Sequence, residues 1–170
     1  NGQKRYEETH KDGKPDGLLT GWYENGQKMW EGLLENGDGL ITYYYDGKQS
    51  GKMEYKDNEM WDGKYITRYE NGQKILEGLL ENGNGLETYW YENGQKMNEK
   101  NYKDGKKDGL WTYWYENGQK SSERIYKDGE IDGLSVGWYE NGQKKSEWNY
   151  KDGEVIKLIG RWNEDGSVKE

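Results

Sequence analysis

The sequence predicts an all-β protein: an elongated single-layer antiparallel β-sheet, a meander of tandem β-hairpin repeats without helices. First, the pentapeptide Glu-Asn-Gly-Gln-Lys recurs, with full copies starting at Glu24, Glu70, Glu92, Glu116 and Glu140. Second, the segments between the copies are rich in aromatic and β-favouring residues and lack helical spacing. Third, Asn-Gly and Asp-Gly pairs separate these segments, as they do in hairpins. From Glu70 onward the copies recur every 22 or 24 residues. Repetition at this interval indicates an array whose units do not fold alone.

The repeats are interpreted as one array domain, residues 1–170. Its units are placed at residues 1–16, 17–38, 39–62, 63–84, 85–108, 109–132 and 133–156, with a partial unit at 157–170. Residues 46–62 depart most from the pattern, because Tyr45-Asp46-Gly47-Lys48 replaces the pentapeptide. Asn1 lies inside a clipped repeat and is not a start residue, so we expect that a signal peptide or further repeats have been removed upstream. Cytoplasmic and exported locations both stay open.

The composition explains how a chain with few hydrophobic residues can fold, and the net charge argues against two classes of partner. Hydrophobic residues make up 30% of the chain, and 16 Tyr and 9 Trp supply large apolar surfaces. The net charge of -8 argues against nucleic acid and against an anionic membrane surface as partners. The lack of Cys excludes disulfides and thiolate metal sites, and no apolar run has the length of a transmembrane helix.

The repeat at residues 109–132 illustrates the predicted hairpin. Residues 110–115 form the first strand and residues 120–126 the second. Asn117-Gly118 joins them in a type I′ turn, which requires positive φ at both central residues. Residues 127–132 form a looser turn into the next unit. The register that follows is Tyr115 opposite Lys120, Tyr113 opposite Ser122, Trp111 opposite Arg124 and Gly109 opposite Tyr126.

Alternation along the strands gives each hairpin two faces. The Leu110 face carries Leu110, Thr112, Trp114 and their equivalents, and the Trp111 face carries Trp111, Tyr113, Tyr115 and theirs. Leu and Trp recur at two sites of the Leu110 face, so we predict that this face is packed. The Trp111 and Tyr113 sites vary, so we expect the Trp111 face to be free to specialise. Tyr recurs at the Tyr115 site, which indicates a role in stacking the repeats.

A ladder of charges accompanies the strands. The Lys of each pentapeptide is followed three residues later by Glu, from Lys28 and Glu31 to Lys144 and Glu147. In the predicted register the two side chains point to opposite faces and pair with neighbouring strands. The ladder is interpreted as protection of an open sheet against edge-to-edge aggregation. Tyr115 beside Lys120 is also expected to form an exposed cation–π contact.

Three short elements recur together: Gly-Leu at Gly109, Trp-Tyr-Glu-Asn-Gly from Trp114, and Tyr-Lys-Asp-Gly from Tyr102, Tyr126 and Tyr150. A chain with these elements resembles the MORN-repeat variant family found in many bacteria. The resemblance implies a single-layer sheet of hairpins used for protein association. Some bacterial relatives are labelled antitoxin-like and some are exported. Eukaryotic relatives have been linked to membrane lipids, a role that the acidic charge does not support.

The residues do not form the constellations expected of an enzyme. His10 is the single His, and it occupies the site that is Tyr in later repeats. No Ser is placed to form a dyad with it, and the carboxylates recur as a ladder rather than as one pair. We therefore predict no catalytic residue, no cofactor and no metal site.

Three loops invite a calcium interpretation, because each carries two Asp residues four positions apart: residues 12–16, 104–108 and 128–132. Lysines fill the positions between the Asp residues in two of them. Asp-Gly is also ordinary turn chemistry, so the loops are predicted to be turns.

The chain is interpreted as a non-enzymatic repeat scaffold that mediates protein–protein interaction. Aromatic side chains are favoured interface anchors, and the candidate partner-binding residues on the Trp111 face are Tyr89, Tyr91, Trp111, Tyr113, Tyr115 and Tyr139. Replacing Trp111 and Tyr113 with Ser is expected to spare folding and weaken binding. The open sheet also predicts a homodimer through a face or an end.

The alternative is a cell-wall, carbohydrate- or choline-binding module that uses repeated aromatic side chains. Residues 21–26 and 138–142 superficially resemble glucan- or choline-binding repeats. The Trp rings fall on the face predicted to be packed, which favours a structural role. A fluorescence titration distinguishes the two hypotheses, because ligand-sensitive Trp would support the module.

Overall fold

The computed structural model describes residues 5–57 and 59–169. Its strands are β1 (Tyr6–Glu7), β2 (His10–Lys11), β3 (Lys14–Pro15), β4 (Gly17–Trp22), β5 (Lys28–Glu35), β6 (Asp38–Tyr45), β7 (Lys48–Lys56), β8 (Glu59–Arg68), β9 (Lys74–Glu81), β10 (Asn84–Trp90), β11 (Lys96–Lys103), β12 (Lys106–Trp114), β13 (Lys120–Lys127), β14 (Glu130–Trp138), β15 (Lys144–Lys151) and β16 (Glu154–Arg161). A 14-stranded sheet runs in the order β1, then β4 to β16 in sequence, and β2 pairs with β3. This confirms the predicted antiparallel meander. The described residues contain no helix, and therefore none long and apolar enough to cross a membrane.

Two kinds of turn join the strands, and in the repeat at residues 109–132 they are the reverse of those predicted. Asp128 and Gly129 both have positive φ, 52° and 99°, and form the two-residue type I′ turn between β13 and β14. This is the segment that was predicted to be a looser turn. The predicted type I′ turn at Asn117-Gly118 is wrong, because Gly118 has positive φ (82°) and Asn117 does not.

The pentapeptide instead lies in a longer loop, Tyr115 to Gln119. The N–H of Gly118 donates to Tyr115 O at 2.9 Å, and the N–H of Tyr115 donates to Gln119 O at 2.8 Å. This is a type I turn followed by a glycine in the left-handed region. Asn117 Oδ1 accepts the N–H of Gln119 at 2.9 Å. The Asn side chain thus satisfies a backbone donor inside the loop, which favours the longer loop over the tight turn.

The longer loop changes the register at its base. The pairs Trp111 with Arg124, Tyr113 with Ser122 and Gly109 with Tyr126 are confirmed. A β-bulge then separates Tyr113 from Trp114, and Trp114 pairs with Lys120. The prediction that Tyr115 faces Lys120 is therefore wrong.

The bulge also brings the Lys and Glu of each ladder to the same face. Lys120 Nζ lies 2.5 Å from Glu123 Oε1, and Lys144 Nζ lies 2.7 Å from Glu147 Oε2. The other pentapeptides form the same pair: Lys28–Glu31, Lys74–Glu77 and Lys96–Glu99. The prediction that these side chains pair with neighbouring strands is wrong. The pairs are partly exposed, so each contributes at most about 1 kcal/mol.

The chain divides into two compact units, residues 1–85 and 86–170. In the first unit the Trp111 face holds the core. Leu19, Ile41, Met53 and Tyr65 are at most 8% exposed. The ring of Tyr43 stacks on the ring of Tyr65, with centroids 4.6 Å apart. Apolar side chains from several consecutive hairpins thus meet on one side of the sheet.

Glycines make room for these rings. A Cβ at Gly78 would collide with the ring of Tyr65, and a Cβ at Gly21 would collide with the ring of Trp30. Both glycines sit inside strands, where the missing side chain lets a ring from the paired strand lie flat across the backbone.

In the second unit the same face buries fewer large side chains. Trp111 is 3% exposed and lies between the rings of Tyr102 and Tyr126, with centroids 5.4 and 5.0 Å away. Glu87, at the equivalent site of the preceding repeat, is 1% exposed. Thr112, on the Leu110 face, is also buried.

The prediction that the Leu110 face is the packed one is wrong. Leu18, Leu79 and Leu110 are 72%, 60% and 45% exposed, whereas the largest fully buried side chains lie on the Trp111 face. The physical reason is the placement of glycine. The Trp111 face carries glycines, such as Gly21 and Gly78, across which rings of the paired strands lie flat.

Candidate interaction surface

Cations alternate with aromatic rings on the Trp111 face of the second unit. Lys or Arg lies over a ring in each of these contacts: Lys100 at 4.5 Å from Tyr89 and 5.3 Å from Trp111, Lys107 at 4.9 Å from Trp111 and 5.3 Å from Tyr126, Arg124 at 6.0 Å from Tyr113, Lys145 at 5.4 Å from Tyr139, and Arg161 at 4.8 Å from Trp148. Each such contact contributes about 0.5–1 kcal/mol where exposed. The result is a basic, aromatic surface on an acidic chain.

Strand pairing builds this surface. Lys100 pairs with Trp111, Trp111 with Arg124, Arg124 with Ser135, and Ser135 with Trp148. Paired residues of adjacent strands point to the same face. The five residues therefore form one row across β11 to β15, with cations and rings side by side.

A buried charge lies next to the row. Glu87 Oε2 accepts a hydrogen bond from Tyr102 Oη at 3.0 Å and from Tyr89 Oη at 3.4 Å. Burial lowers the pKa of the Lys100 amine, and the nearby Glu87 carboxylate opposes that shift. Asn98 is 7% exposed, and among the described residues its Oδ1 has no hydrogen-bond partner.

Three of the six predicted residues bind the next repeat. The hydroxyls of Tyr91, Tyr115 and Tyr139 donate to the carbonyl oxygens of Trp114, Trp138 and Trp162 at 2.8, 2.7 and 3.0 Å. Burial, followed by nearby glutamates, raises the pKa of Tyr91 and of Tyr115. The stacking role predicted for the Tyr115 site is confirmed, and the hydroxyls at these sites are engaged within the sheet.

A second ladder accompanies the tyrosines. The side-chain amide of Asn93 donates to Glu116 O at 2.8 Å, that of Asn117 to Glu140 O at 2.9 Å, and that of Asn141 to Glu164 O at 2.7 Å. Each loop is thereby tied to the equivalent loop of the next repeat.

The other three predicted residues divide between core and surface. Trp111 is buried and donates its Nε1–H to Asn101 O at 2.8 Å. The expectation that its replacement spares folding gives way to an expected loss of stability. Tyr89 and Tyr113 are half-buried, and burial raises the pKa of Tyr113. The rings that remain accessible on this face are therefore the half-buried ones.

Reasoning from the sequence missed the cations and Trp148. Four of the cations lie outside the recurring pentapeptide: Lys100, Lys107, Arg124 and Arg161. Recurrence along the chain therefore did not identify them. Their spacing along the chain is irregular, and they align with the rings only through cross-strand pairing. The sequence signal that was available is the pair Trp111 and Arg124, which the predicted register already placed opposite each other.

The Leu110 face uses its charges differently. Lys96, Lys120 and Lys144 lie 5.7, 6.0 and 5.7 Å from the rings of Trp114, Trp138 and Trp162. Lys120 thus covers Trp138 and not the predicted Tyr115. Because each of these lysines also pairs with a Glu, the charges on this face cancel locally.

The Asp loops are turns, as predicted. Asp12, Asp104 and Asp128 all have positive φ and begin type I′ turns. The second Asp of two of these loops accepts a backbone N–H from a later turn, Asp16 Oδ2 from Asn36 at 3.4 Å and Asp108 Oδ2 from Asp128 at 3.5 Å. Among the described residues, no group of three or more His, Asp or Glu is arranged to hold a metal ion. His10 lies 3.1 Å from Glu8 Oε1.

Residues 83–104, 107–128 and 131–152 each match the family model of the MORN repeat variant. The chain carries three tandem MORN repeats. These are non-catalytic modules that generally serve protein or membrane interaction. The MORN repeat at residues 107–128 contains the first strand, the Tyr115–Gln119 loop and the second strand, and it ends in the type I′ turn. No curated protein matches the chain at a significant level.

Proposed function

We propose that the chain is a non-enzymatic repeat scaffold that mediates protein–protein interaction through the Trp111 face of its second unit. The observation that carries the proposal is the series of half-buried rings, Tyr89, Tyr113, Tyr139 and Trp148, each with a Lys or Arg against it. Tyr, Trp and Arg are enriched in interfaces and at the positions where truncation costs most binding energy.

The rings are held in place before a partner arrives. The Tyr139 hydroxyl is hydrogen-bonded within the sheet. Tyr113 lies on β12, which pairs with β13, and Trp148 lies on β15, which pairs with β14. A partner that binds rings already fixed in position pays little side-chain entropy. The cations add directional attraction that a purely apolar face lacks.

The Leu110 face is less suited to the same role. Its lysines are paired with glutamates, so they offer a partner less uncompensated charge. This difference between the faces provides the control for an experiment.

The test is capture of a partner by the immobilised full chain from a lysate of the source cells, followed by cross-linking and mass spectrometry. A double variant of the Trp111 face, Tyr113→Ser with Arg124→Gln, is compared with a double variant of the Leu110 face, Leu110→Ser with Leu134→Ser. Leu110 and Leu134 are 45% and 41% exposed, so both variants are expected to fold. Cooperative unfolding of each variant is checked first.

A protein that is captured in stoichiometric amount, lost with the first variant and kept by the second supports the proposal. Equal capture by both variants contradicts it. Retention of glycan without any protein supports a carbohydrate-binding module instead. Sedimentation at high concentration tests a second copy as the partner, and a strictly monomeric chain excludes the homodimer.

A further inference from the structure

The last hairpin of the second unit contains a pocket of about 280 Å³ that is lined by three cations and three rings. The cations are Lys145, Arg161 and Lys169, and the rings are those of Tyr139, Trp148 and Trp162. Among the described residues, no carboxylate belongs to the lining. The pocket lies at the end of the basic, aromatic row described above, since Trp148 is a member of that row.

The fold holds the cations together. Arg161 pairs with Ser146 across β15 and β16, which places the guanidinium beside the Ser146 hydroxyl that also lines the pocket. The N–H of Lys169 donates to Arg161 O at 2.9 Å. The isolated bridge between Trp162 and Val168 fixes the returning chain. Residues distant in sequence are thus brought to one opening by backbone hydrogen bonds.

The charges in the pocket are not neutralised by the rest of the described chain. Among the described residues, no carboxylate lies within 4 Å of Lys145, Arg161 or Lys169. Lys144, the neighbour of Lys145 on the opposite face, shows the contrast, because it pairs with Glu147 at 2.7 Å. Asp165 lies in the adjacent loop. Its Oδ1 accepts hydrogen bonds from the N–H and the Oγ–H of Ser167 at 2.9 and 2.6 Å.

Two of the three cations lie over aromatic rings. Lys145 lies 5.4 Å from the Tyr139 ring, and Arg161 lies 4.8 Å from the Trp148 ring. A guanidinium over a ring keeps its in-plane N–H donors free, and that fork matches two oxygens of a carboxylate or phosphate. The two ammonium groups add positive charge at the same opening, and the rings offer apolar walls for the chain that bears the anion.

We propose that this pocket binds an oxyanion, a carboxylate or a phosphate, carried by an extended segment of the partner protein. The proposal rests on the proposed function, because it names the chemistry of the segment that the Trp111 face receives. Complementary charge selects the partner: an acidic segment that runs along Lys100 and Arg124 ends with its anion at Arg161. Such a segment avoids the Leu110 face, where lysines are already paired.

The experiment titrates the full chain with three synthetic ten-residue peptides that share one Tyr-containing sequence. One has three Glu residues, the second has phosphoserine at the same positions, and the third has Gln. Trp fluorescence is the readout, because Trp148 and Trp162 line the pocket. We expect the Glu or the phosphoserine peptide to bind at least tenfold more tightly than the Gln peptide, and affinity to fall with added salt. The stronger of the two anionic peptides identifies the source of the oxyanion.

The variant Arg161→Gln with Lys145→Gln is expected to weaken the anionic peptides at least tenfold. Lys120→Gln is the matched control, since it removes the equivalent charge of the preceding repeat on the other face and contacts Trp138, which lies outside the pocket lining; it is expected to change affinity less than twofold. Unchanged binding to the Arg161→Gln, Lys145→Gln variant overturns the proposal. So does binding of the Gln peptide as tightly as the others, or retention of the chain by anionic lipid vesicles when neither anionic peptide binds.

This result is separable from the proposed function. If the partner captured through Tyr113 and Arg124 still binds the Arg161→Gln, Lys145→Gln variant with unchanged affinity, the pocket proposal fails and the scaffold proposal stands. If capture is insensitive to Tyr113 and Arg124 as well, both fail.

Discussion

In the first unit the Trp111 site holds Leu19, Ile41 and Tyr65, all at most 8% exposed, whereas in the second it holds Glu87, Trp111 and a half-buried Ser135. The backbone pattern of hairpins is the same in both. One unit therefore fills this face with apolar side chains, and the other places charged and polar groups on it. The difference shows that a continuous apolar column is not required for this array to form.

Hydrogen bonds between repeats account for that freedom. In the second unit each loop is tied to the next by a Tyr hydroxyl and an Asn side chain, as in Tyr115 to Trp138 O and Asn117 to Glu140 O. In the first unit Tyr23 Oη likewise donates to Tyr44 O, at 3.2 Å, whereas the Asn71 side chain forms its hydrogen bonds with Gln73 in its own loop. The Asn bonds between loops therefore distinguish the second unit, and they stabilise its array independently of an apolar core on the Trp111 face.

The largest expected effect is at the core of the first unit. Tyr65 is fully buried and stacked on Tyr43, so Tyr65→Ala is expected to lower the free energy of unfolding by about 3–5 kcal/mol. Leu79→Ala is the control, because Leu79 lies on the Leu110 face and is 60% exposed; its expected cost is below about 0.5 kcal/mol. Urea unfolding measures both. Equal losses of unfolding free energy in the two variants would contradict the placement of the core on the Trp111 face.

The second-largest effect is expected at the Tyr113 site, which is glycine in one repeat of each unit, Gly21 and Gly137. A Cβ at Gly21 would collide with the Trp30 ring, so Gly21→Ala is expected to cost about 1–3 kcal/mol. At Gly137 the Cβ would meet Ser146 Oγ at 3.3 Å, and a hydroxyl can rotate away. Gly137→Ala is therefore expected to be neutral or stabilising by up to about 1 kcal/mol, because Ala loses less entropy in a strand. Thermal unfolding of the two variants gives the comparison, and a larger loss at Gly137 would contradict it.

A smaller difference is expected between two asparagines. Asn117→Ala removes one hydrogen bond within its loop and one to Glu140 O in the next repeat, whereas Asn71→Ala removes two bonds to Gln73 in its own loop, one of them long at 3.5 Å and therefore weak. The first variant is expected to lose about 1 kcal/mol more than the second. Chemical denaturation of both variants measures this difference. Equal losses would show that the Asn ladder does not stabilise the second unit.

The smallest effect is a shift in protonation. Hydrogen bonds from Lys28, and then from Tyr44, lower the pKa of Glu31, and the second unit has Trp in place of Tyr44. A lowered folded-state pKa contributes stability above the unfolded pKa, and that stability is lost as the pH falls through the folded pKa. Tyr44→Phe is expected to raise the Glu31 pKa, and Lys28→Met to raise it further. Carboxyl NMR titration follows the change, and a lower pKa in either variant would refute the assignment.

The hairpins, the absence of helices and most of the register were predictable, because a fixed repeat with Asn-Gly and Asp-Gly leaves few alternatives. The turn types were not, since both dipeptides suit a type I′ turn and the choice depends on the Asn117 side chain capping Gln119. The packed face was mispredicted because recurrence was taken as burial. Tyr115 recurs for its hydrogen bond to the next repeat, whereas burial follows glycines such as Gly78.

The candidate surface was half predictable for a related reason. Tyr89 and Tyr113 were identified by their variable sites, but the cations beside them are adjacent only across strands. Lys100 and Arg161 have no marker in the linear sequence. Only the pairing of β11 with β12 and of β15 with β16 places them against their rings.

Each of the Asn bonds between loops runs from the Asn of one loop to the Glu carbonyl of the next loop, with the donor side chain always in the earlier repeat and the carbonyl always in the later one. A whole repeat that is duplicated or deleted in the gene therefore brings or removes one donor and one acceptor together. The two new neighbours meet with matching partners, and no orphaned amide or carbonyl results. Arrays of this design can change length by recombination without any compensating mutation, while insertions of part of a repeat are expected to be selected against.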